Sequence, residues 1–150
     1  MESLNKLIEE ASALALVGAK ERGVRVRFQF DPAVQMVLAD KVQIQQVLLN
    51  LLRNAIEAMA RTPHKGRLIS IRTIHRANEV EVAVRDTGEG LSMAVVRNLF
   101  EPYQTTKPQG MGLGLALCRA IVQAHGGRIW AKPHAERGST FYFTLPTKVP

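Results

Sequence analysis

The 150-residue chain predicts one α+β domain: a two-layer α/β sandwich in which a mixed, roughly five-stranded sheet carries three main helices on one face. Three observations predict it. Segments of helical period occur near the start, in the middle and in the last third, with segments of alternating period between them. The strand segments come partly in adjacent pairs, which argues against a doubly wound parallel sheet. Apolar residues make up 46% of the chain, enough for one core that needs neither disulfide nor structural metal.

Taken in order, residues 3–21 place Leu4, Leu7, Ile8, Ala11, Leu14 and Val17 at helical spacing, with Ser3 as the expected N-cap and Gly23 as the stop. Val24, Val26, Phe28 and Phe30 then alternate with Arg25, Arg27 and Gln29, the pattern of a half-buried strand ended by Asp31-Pro32. Residues 40–61 form a long helix. Residues 67–74 and 79–85 are two strands of a hairpin, with Val80, Val82 and Val84 sharing one face. Residues 86–111 are loop-like, with a short helix at 92–100. Residues 112–125 are an apolar helix capped by Gly126-Gly127. Two last strands cover 128–132 and 139–145. The sheet face away from the helices is expected to be more exposed than usual.

Composition narrows the function. Cys118, the only cysteine, lies in an apolar run and reads as a buried, reduced, inert thiol, which suits the cytoplasm. The four histidines are scattered and form no ligand cluster. No apolar stretch is long enough to cross a bilayer and no signal-peptide pattern opens the chain, so direct membrane contact is not expected. The formal charge of +7 is spread along the sequence without a basic run or interleaved aromatics, so nucleic acid is not the expected partner. A polyphosphate ligand or an acidic partner fits that charge better.

In the 40–61 helix, at about 100° per residue, Gln43, Gln46, Asn50, Asn54 and Glu57 fall in one stripe about 80° wide. Nearly everything else on that helix is apolar, so the stripe faces either water or something that satisfies it. Asn50 and Asn54 stack one turn apart. Asparagine is a poor helix former, and Lys or Glu would serve solubility better, which favours a ligand- or metal-facing role. A neutral amide oxygen suits a hard cation held mostly by phosphates and water.

Two glycine segments accompany the stripe. Asp86-Thr87-Gly88-Glu89-Gly90 follows a strand; it is an ordinary turn or a carboxylate placed for an exocyclic amine, with glycines admitting a flat ring. Gly110-Met111-Gly112-Leu113-Gly114-Leu115 opens a helix, and free N–H groups there suit phosphates. The spacing is neither that of a dinucleotide fold nor that of a P-loop. The intervening loop, residues 91–110, has the length of a lid, and Thr105, Thr106 and Lys107 offer hydroxyls and a cation near the glycines.

Together, in order and spacing, these segments resemble the sensor histidine kinases. Asn50-Leu-Leu-Arg-Asn54-Ala-Ile-Glu-Ala resembles their N box, and Asp86-Thr-Gly-Glu-Gly their first glycine box. Leu99-Phe100-Glu101-Pro102-Tyr103 resembles the F box, with Tyr103 where Phe is commoner. Gly110-x-Gly112-Leu-Gly114-Leu resembles the second glycine box, and Gly126-Gly127 with Gly138-Ser-Thr140-Phe completes the pattern. Thr-Thr-Lys-Pro and the short lid look most like the nitrogen-regulation and oxygen-sensing branch. The resemblance spans residues 4–146 and implies the Bergerat ATP-binding fold, with ATP and Mg²⁺ as cofactors.

On that resemblance Asp86 receives the adenine amine, Gly88 and Gly90 shape its pocket, and Thr140 joins a water network beside Asp86. Asn54 holds Mg²⁺ and Asn50 assists at the phosphates. Lys107, Thr105, Thr106, Gly110, Gly112, Leu113 and Gly114 hold the phosphate tail, and Asn50, Asn54 and Lys107 are the expected catalytic set. The gyrase-type ATPases look to have a glutamate where this chain has Asn50, and an amide cannot act as a general base. ATP is therefore expected to be transferred rather than hydrolysed, to a histidine on a separate dimerisation domain and thence to a response regulator receiver domain. The phosphoacceptor motif is absent, so the chain looks like an excised catalytic domain. It is expected to be monomeric, cytoplasmic even if its parent is membrane-anchored, and unable to phosphorylate itself. A serine kinase of the anti-sigma-factor type and a non-catalytic nucleotide-binding regulatory module are the alternatives.

Overall fold

The computed structural model describes residues 2–18, 20–33, 36–101, 114–134 and 136–147. Its main sheet has five strands: β2 (Arg25–Gln29), β4 (Leu68–Arg76), β5 (Glu79–Arg85), β6 (Ile129–Pro133) and β7 (Ser139–Pro146), in the order β2-β4-β5-β7-β6. Only β2 and β4 pair in parallel. The sheet is mixed, and α1 (Leu4–Ala15), α2 (Lys41–Ala58) and α4 (Gly114–Ala124) supply the helical layer, as the sequence predicts. A short helix α3 (Met93–Arg97) is capped by Ser92. Two-residue strands β1 (Glu2–Ser3) and β3 (Met36–Val37) pair separately. No helix among the described residues is long and apolar enough to cross a membrane.

The core lies between the layers. Alternation along β4, β5 and β7 turns Ile69, Ile71, Val80, Val82, Val84, Phe141, Phe143 and Leu145 towards the helices, where Leu4, Leu7, Ile8, Ile44, Leu48, Leu51 and Leu52 meet them. α2 is the central helix, flanked by α1 and α4. Asp40 caps it, its side chain accepting from the Gln43 N–H at 3.1 Å.

The structure corrects several boundaries. The first helix stops at Ala15, well short of residue 21; the chain then turns, and Lys20–Arg22 form a separate 3₁₀ turn. Leu14 and Val17 are 63% and 79% exposed, so beyond Ala11 the apolar period finds no neighbour to bury it. Ser3 makes no side-chain cap; it pairs with Met36 in β1 instead. β2 is an edge strand, and Phe28 on it remains exposed. α2 ends at Ala58 rather than 61, and the carbonyls just beyond its end, at Ala60 and Thr62, are taken by Arg67. Arg67 Nη2 donates to Ala60 O at 2.9 Å, Nε to Thr62 O at 2.8 Å and Nη1 to Arg22 O at 2.6 Å. α4 ends at the expected glycine pair, where the Gly127 N–H donates to Val122 O at 2.9 Å.

Candidate functional site

The candidate site is built along α2. Because α2 packs against both α1 and α4, only a narrow strip of it escapes apolar cover, and Gln46, Asn50 and Asn54 are half-buried on that strip. Asn50 Nδ2 lies 3.4 Å from Gly114 O and 3.6 Å from Cys118 Sγ, donating to both. Its amide nitrogen is thereby turned to α4. Gln46, Asn50, Gly114, Ala116 and Leu117 line an open cavity of about 570 Å³, within the range of small-ligand sites. Cys118 sits beneath the cavity, fully buried, and burial pushes its thiol up to about 11. It packs; it is no nucleophile.

Asp86 stands at the end of β5, on the helix side, and is buried. The Gly88 N–H donates to its Oδ1 at 2.9 Å, and the Ser139 hydroxyl donates to Oδ2 at 3.2 Å. Burial raises the pKa of this carboxyl, and those two donors oppose the rise. A solvent-poor carboxylate with acceptor capacity left is suited to an amine donor.

Two glycines make this turn possible. A Cβ on Gly88 would stand 2.3 Å from Ala58 O, so only glycine lets the turn lie on the last residue of α2. Gly138 has φ +81°, and a Cβ there would come 2.1 Å from Asp86 O. Thr87 latches the turn from the other side, accepting from the Leu68 N–H at 3.1 Å and donating to the Gly66 carbonyl. The Asp86 turn thus touches α2 at Ala58. Asn54 and Asn50 follow at successive steps of about 6 Å along the helix, and Gly114 lies beside Asn50. A carboxylate, two carboxamides and the start of α4 stand in line.

The family described as histidine kinase-, DNA gyrase B- and HSP90-like ATPase matches residues 39–149, which include all of these groups. The chain belongs to that family. Among curated relatives of this ATPase family, the sensor protein FixL of Bradyrhizobium diazoefficiens is 53% identical over 97% of the chain. The C4-dicarboxylate transport sensor protein DctS of Rhodobacter capsulatus is 38% identical over 95% of it. The chain spans 29% and 22% of those two proteins, less than a third of either. The nucleotide-free catalytic domain of histidine kinase ThkA superposes with a TM-score of 0.86 at 35% identity, covering 97% of this chain and 93% of that one. The same kinase, solved in complex with the response regulator protein TrrA, gives 0.82 at 32% identity, covering 98% of this chain and 41% of that one.

Of the residues expected to serve an ATPase-family site, the structure brings Asn50, Asn54, Asp86, Gly88 and Gly114 to the line along α2. Gly90, with φ +86°, sits against Gly138 beside it. Thr140 is not beside Asp86. Its hydroxyl meets His134 Nε2 on the other face of β7, and the hydroxyl on Asp86 is that of Ser139. Alternation explains the exchange, since Ser139 shares a face with Phe141 and Phe143 while Thr140 shares the opposite face with Tyr142. The same alternation, carried two residues back from Phe141, would have found Ser139. Thr105, Thr106, Lys107, Gly110, Gly112 and Leu113, with Pro102 and Tyr103 of the F-box segment, lie outside the described residues.

Proposed function

We propose that residues 1–150 act as the catalytic ATP-binding unit of a two-component histidine kinase, holding ATP with adenine at Asp86 and the phosphates towards Gly114. The observation that carries this reading is the line of Asp86, Asn54, Asn50 and Gly114 along one helix, its acidic end buried and its middle made of amides. Asp86 accepts from the adenine amine, Gly88 and Gly90 let the ring approach, and Ser139 holds the carboxylate in place. Thr140 acts from the far side of β7, where its hydroxyl fixes His134. Gly114, together with Gly110, Gly112, Leu113, Thr105, Thr106 and Lys107, is assigned to the phosphates.

Among the described residues no three carboxylates, histidines or cysteines gather to hold an ion. The donor set at hand is two neutral amide oxygens, which fits a cation carried in on the nucleotide. Asn54 would hold Mg²⁺ and Asn50 would assist; the bound ion supplies charge neutralisation at the phosphates. Neither amide can take a proton from water, so this pair offers hydrolysis no base. An imidazole nitrogen of a separate dimerisation domain attacks the γ-phosphorus, the bond to the β,γ-bridging oxygen breaks, and ADP leaves. This chain supplies position and electrostatics. A response regulator receiver domain then takes the phosphoryl group, in keeping with the ThkA–TrrA pairing. The unit works in the cytoplasm and is monomeric by itself.

The test mixes the chain with a separately made histidine-bearing dimerisation domain and γ-labelled ATP. Label on that domain that is lost in acid is the expected result. Acid-stable label on serine would point to the anti-sigma-factor type of kinase. Nucleotide binding with no labelled acceptor would leave a regulatory module.

A further inference from the structure

The face of the main sheet turned away from the helices carries a patterned charge that the nucleotide site does not use. Register places Arg27, Ser70, Arg85, Thr140 and Lys132 in one row across the five strands, and Gln29, Arg72, Ala83, Tyr142 and Trp130 in the next. Arg27, Arg72, Arg85 and Lys132 are all exposed. The first row puts a cation on every second strand, about 10 Å apart, which is near one Debye length at ordinary salt. Trp130 and Tyr142 stack with centroids 5.2 Å apart and planes 8° from parallel. The Arg128 guanidinium lies 5.1 Å over Trp130, and Lys132 Nζ lies 5.8 Å over Tyr142.

The acids borne by the strands of this face are confined to one end. Glu79 pairs with Arg128 at 3.0 Å and Glu81 with Arg76 at 3.6 Å, both towards the start of β5. Among the described residues no carboxylate pairs with Arg27, Arg72, Arg85 or Lys132. The helices pack on the opposite face, and among the described residues nothing covers this cationic surface.

We propose that this face docks an acidic protein surface, whose carboxylates meet Arg27, Arg72, Arg85 and Lys132 while the Trp130–Tyr142 stack forms the apolar centre. Arginine, tryptophan and tyrosine together make the composition of an interface core, not of a solvated surface. The ordered stack loses little entropy on contact. Single-stranded nucleic acid fits less well. The two rings cover each other and carry Arg128 and Lys132, so no free ring is offered for bases to stack on. Glu79 and Glu81 would also repel phosphates at one end, whereas a protein of mixed charge can match them.

Trp130 is the only tryptophan in the chain, so intrinsic fluorescence reads this face directly. The full chain is titrated with poly-L-glutamate and, in parallel, with oligothymidylate of matched charge. Poly-L-glutamate is expected to shift the emission and bind more tightly than the oligonucleotide. Arg72→Glu/Lys132→Glu, and separately Arg27→Glu/Arg72→Glu, which leaves the ring stack intact, should each weaken it about tenfold. The control pair Lys6→Glu/Arg53→Glu, in the helical layer and equal in charge, should weaken it less than about twofold. Tighter binding of oligothymidylate would replace the acidic protein with nucleic acid. An unmoved emission, or equal losses in the face and control pairs, would overturn the proposal outright.

Discussion

In the proposed complex, Asp86 separates binding from folding. Its carboxyl is buried, and burial, outweighing the Gly88 and Ser139 donors, raises its pKa. A raised carboxyl pKa means that ionisation at neutral pH costs folding free energy, and the cost disappears as pH falls below the ordinary aspartate range. Asp86→Asn keeps an acceptor for the Gly88 N–H, and Ser139 can turn to accept from the new amide. The variant should lose ATP binding in calorimetry while its melting temperature at pH 7 stays level or rises. A melting temperature that drops along with affinity would show that the carboxylate is structural. Gly138 is the opposite case. Its φ of +81° and the 2.1 Å approach of a Cβ to Asp86 O make Gly138→Ala both strained and clashing. A loss of about 2–3 kcal/mol in chemical denaturation is expected, with nucleotide affinity falling as the Asp86 turn is displaced. Ser139 shows what was legible at this scale. The hydroxyl partner of Asp86 was readable from strand alternation, yet the motif drew attention to Thr140, one residue along.

At the scale of elements, the long apolar helix with its polar stripe, the β4–β5 hairpin and the glycine-ended α4 were legible because each is written in a local period. The end of α1 was not, because Leu14 and Val17 continue the period and only the absence of a packing neighbour stops the helix. The end of α2 was hidden for a related reason. Arg67 reaches back across the sequence to three carbonyls, at Arg22, Ala60 and Thr62, and nothing near position 67 announces such partners. A guanidinium at the C-terminal end of a helix also meets the negative end of its dipole. Arg67→Met should therefore cost about 2–3 kcal/mol in urea denaturation, and Lys in its place should recover only part, since it lacks the planar fork. A change below about 0.5 kcal/mol, the size expected for an ordinary surface site, would mean that water replaces the guanidinium without penalty. At the other end of α2, the Asp40 N–H donates to His125 Nε2 at 3.0 Å, while His125 Nδ1 lies 2.8 Å from Ile121 O. These contacts fix the start of α2 to the end of α4, so the two helices that frame the cavity hold their spacing at that end.

The molecule as a whole places its proposed ligand site and its burial penalty at one point, which would give nucleotide binding a distinctive pH signature. A ligand that binds only the folded state at a hundred times its Kd stabilises it by about 2.7 kcal/mol, or about 5–10 °C in melting temperature for a chain of this size. In the proposed complex the adenine amine donates to ionised Asp86, so binding needs the carboxylate that folding alone would rather protonate. As pH falls through the raised Asp86 pKa, the free protein is relieved of the ionisation penalty while the complex loses its acceptor. The ATP-induced rise in melting temperature should therefore shrink on acidification, beginning above the pH at which an ordinary aspartate titrates. His134, whose pKa is lowered by burial and by Arg85 against a smaller opposing pull from Asp86, weakens the fold below the ordinary histidine range. Its charge in turn holds Asp86 slightly towards the ionised form, so His134→Asn is the control that leaves Asp86 as the group being read. Differential scanning fluorimetry with and without Mg-ATP, at matched pH values between 8 and 5, reads this difference directly. Asp86→Asn should give no ATP-induced rise at any pH, and it removes the titrating group while leaving the nucleotide's own protonation in place. If the wild-type rise is flat across that range, or the variant reproduces its slope, adenine does not rest on Asp86, and the line of groups along α2 holds something other than a nucleotide.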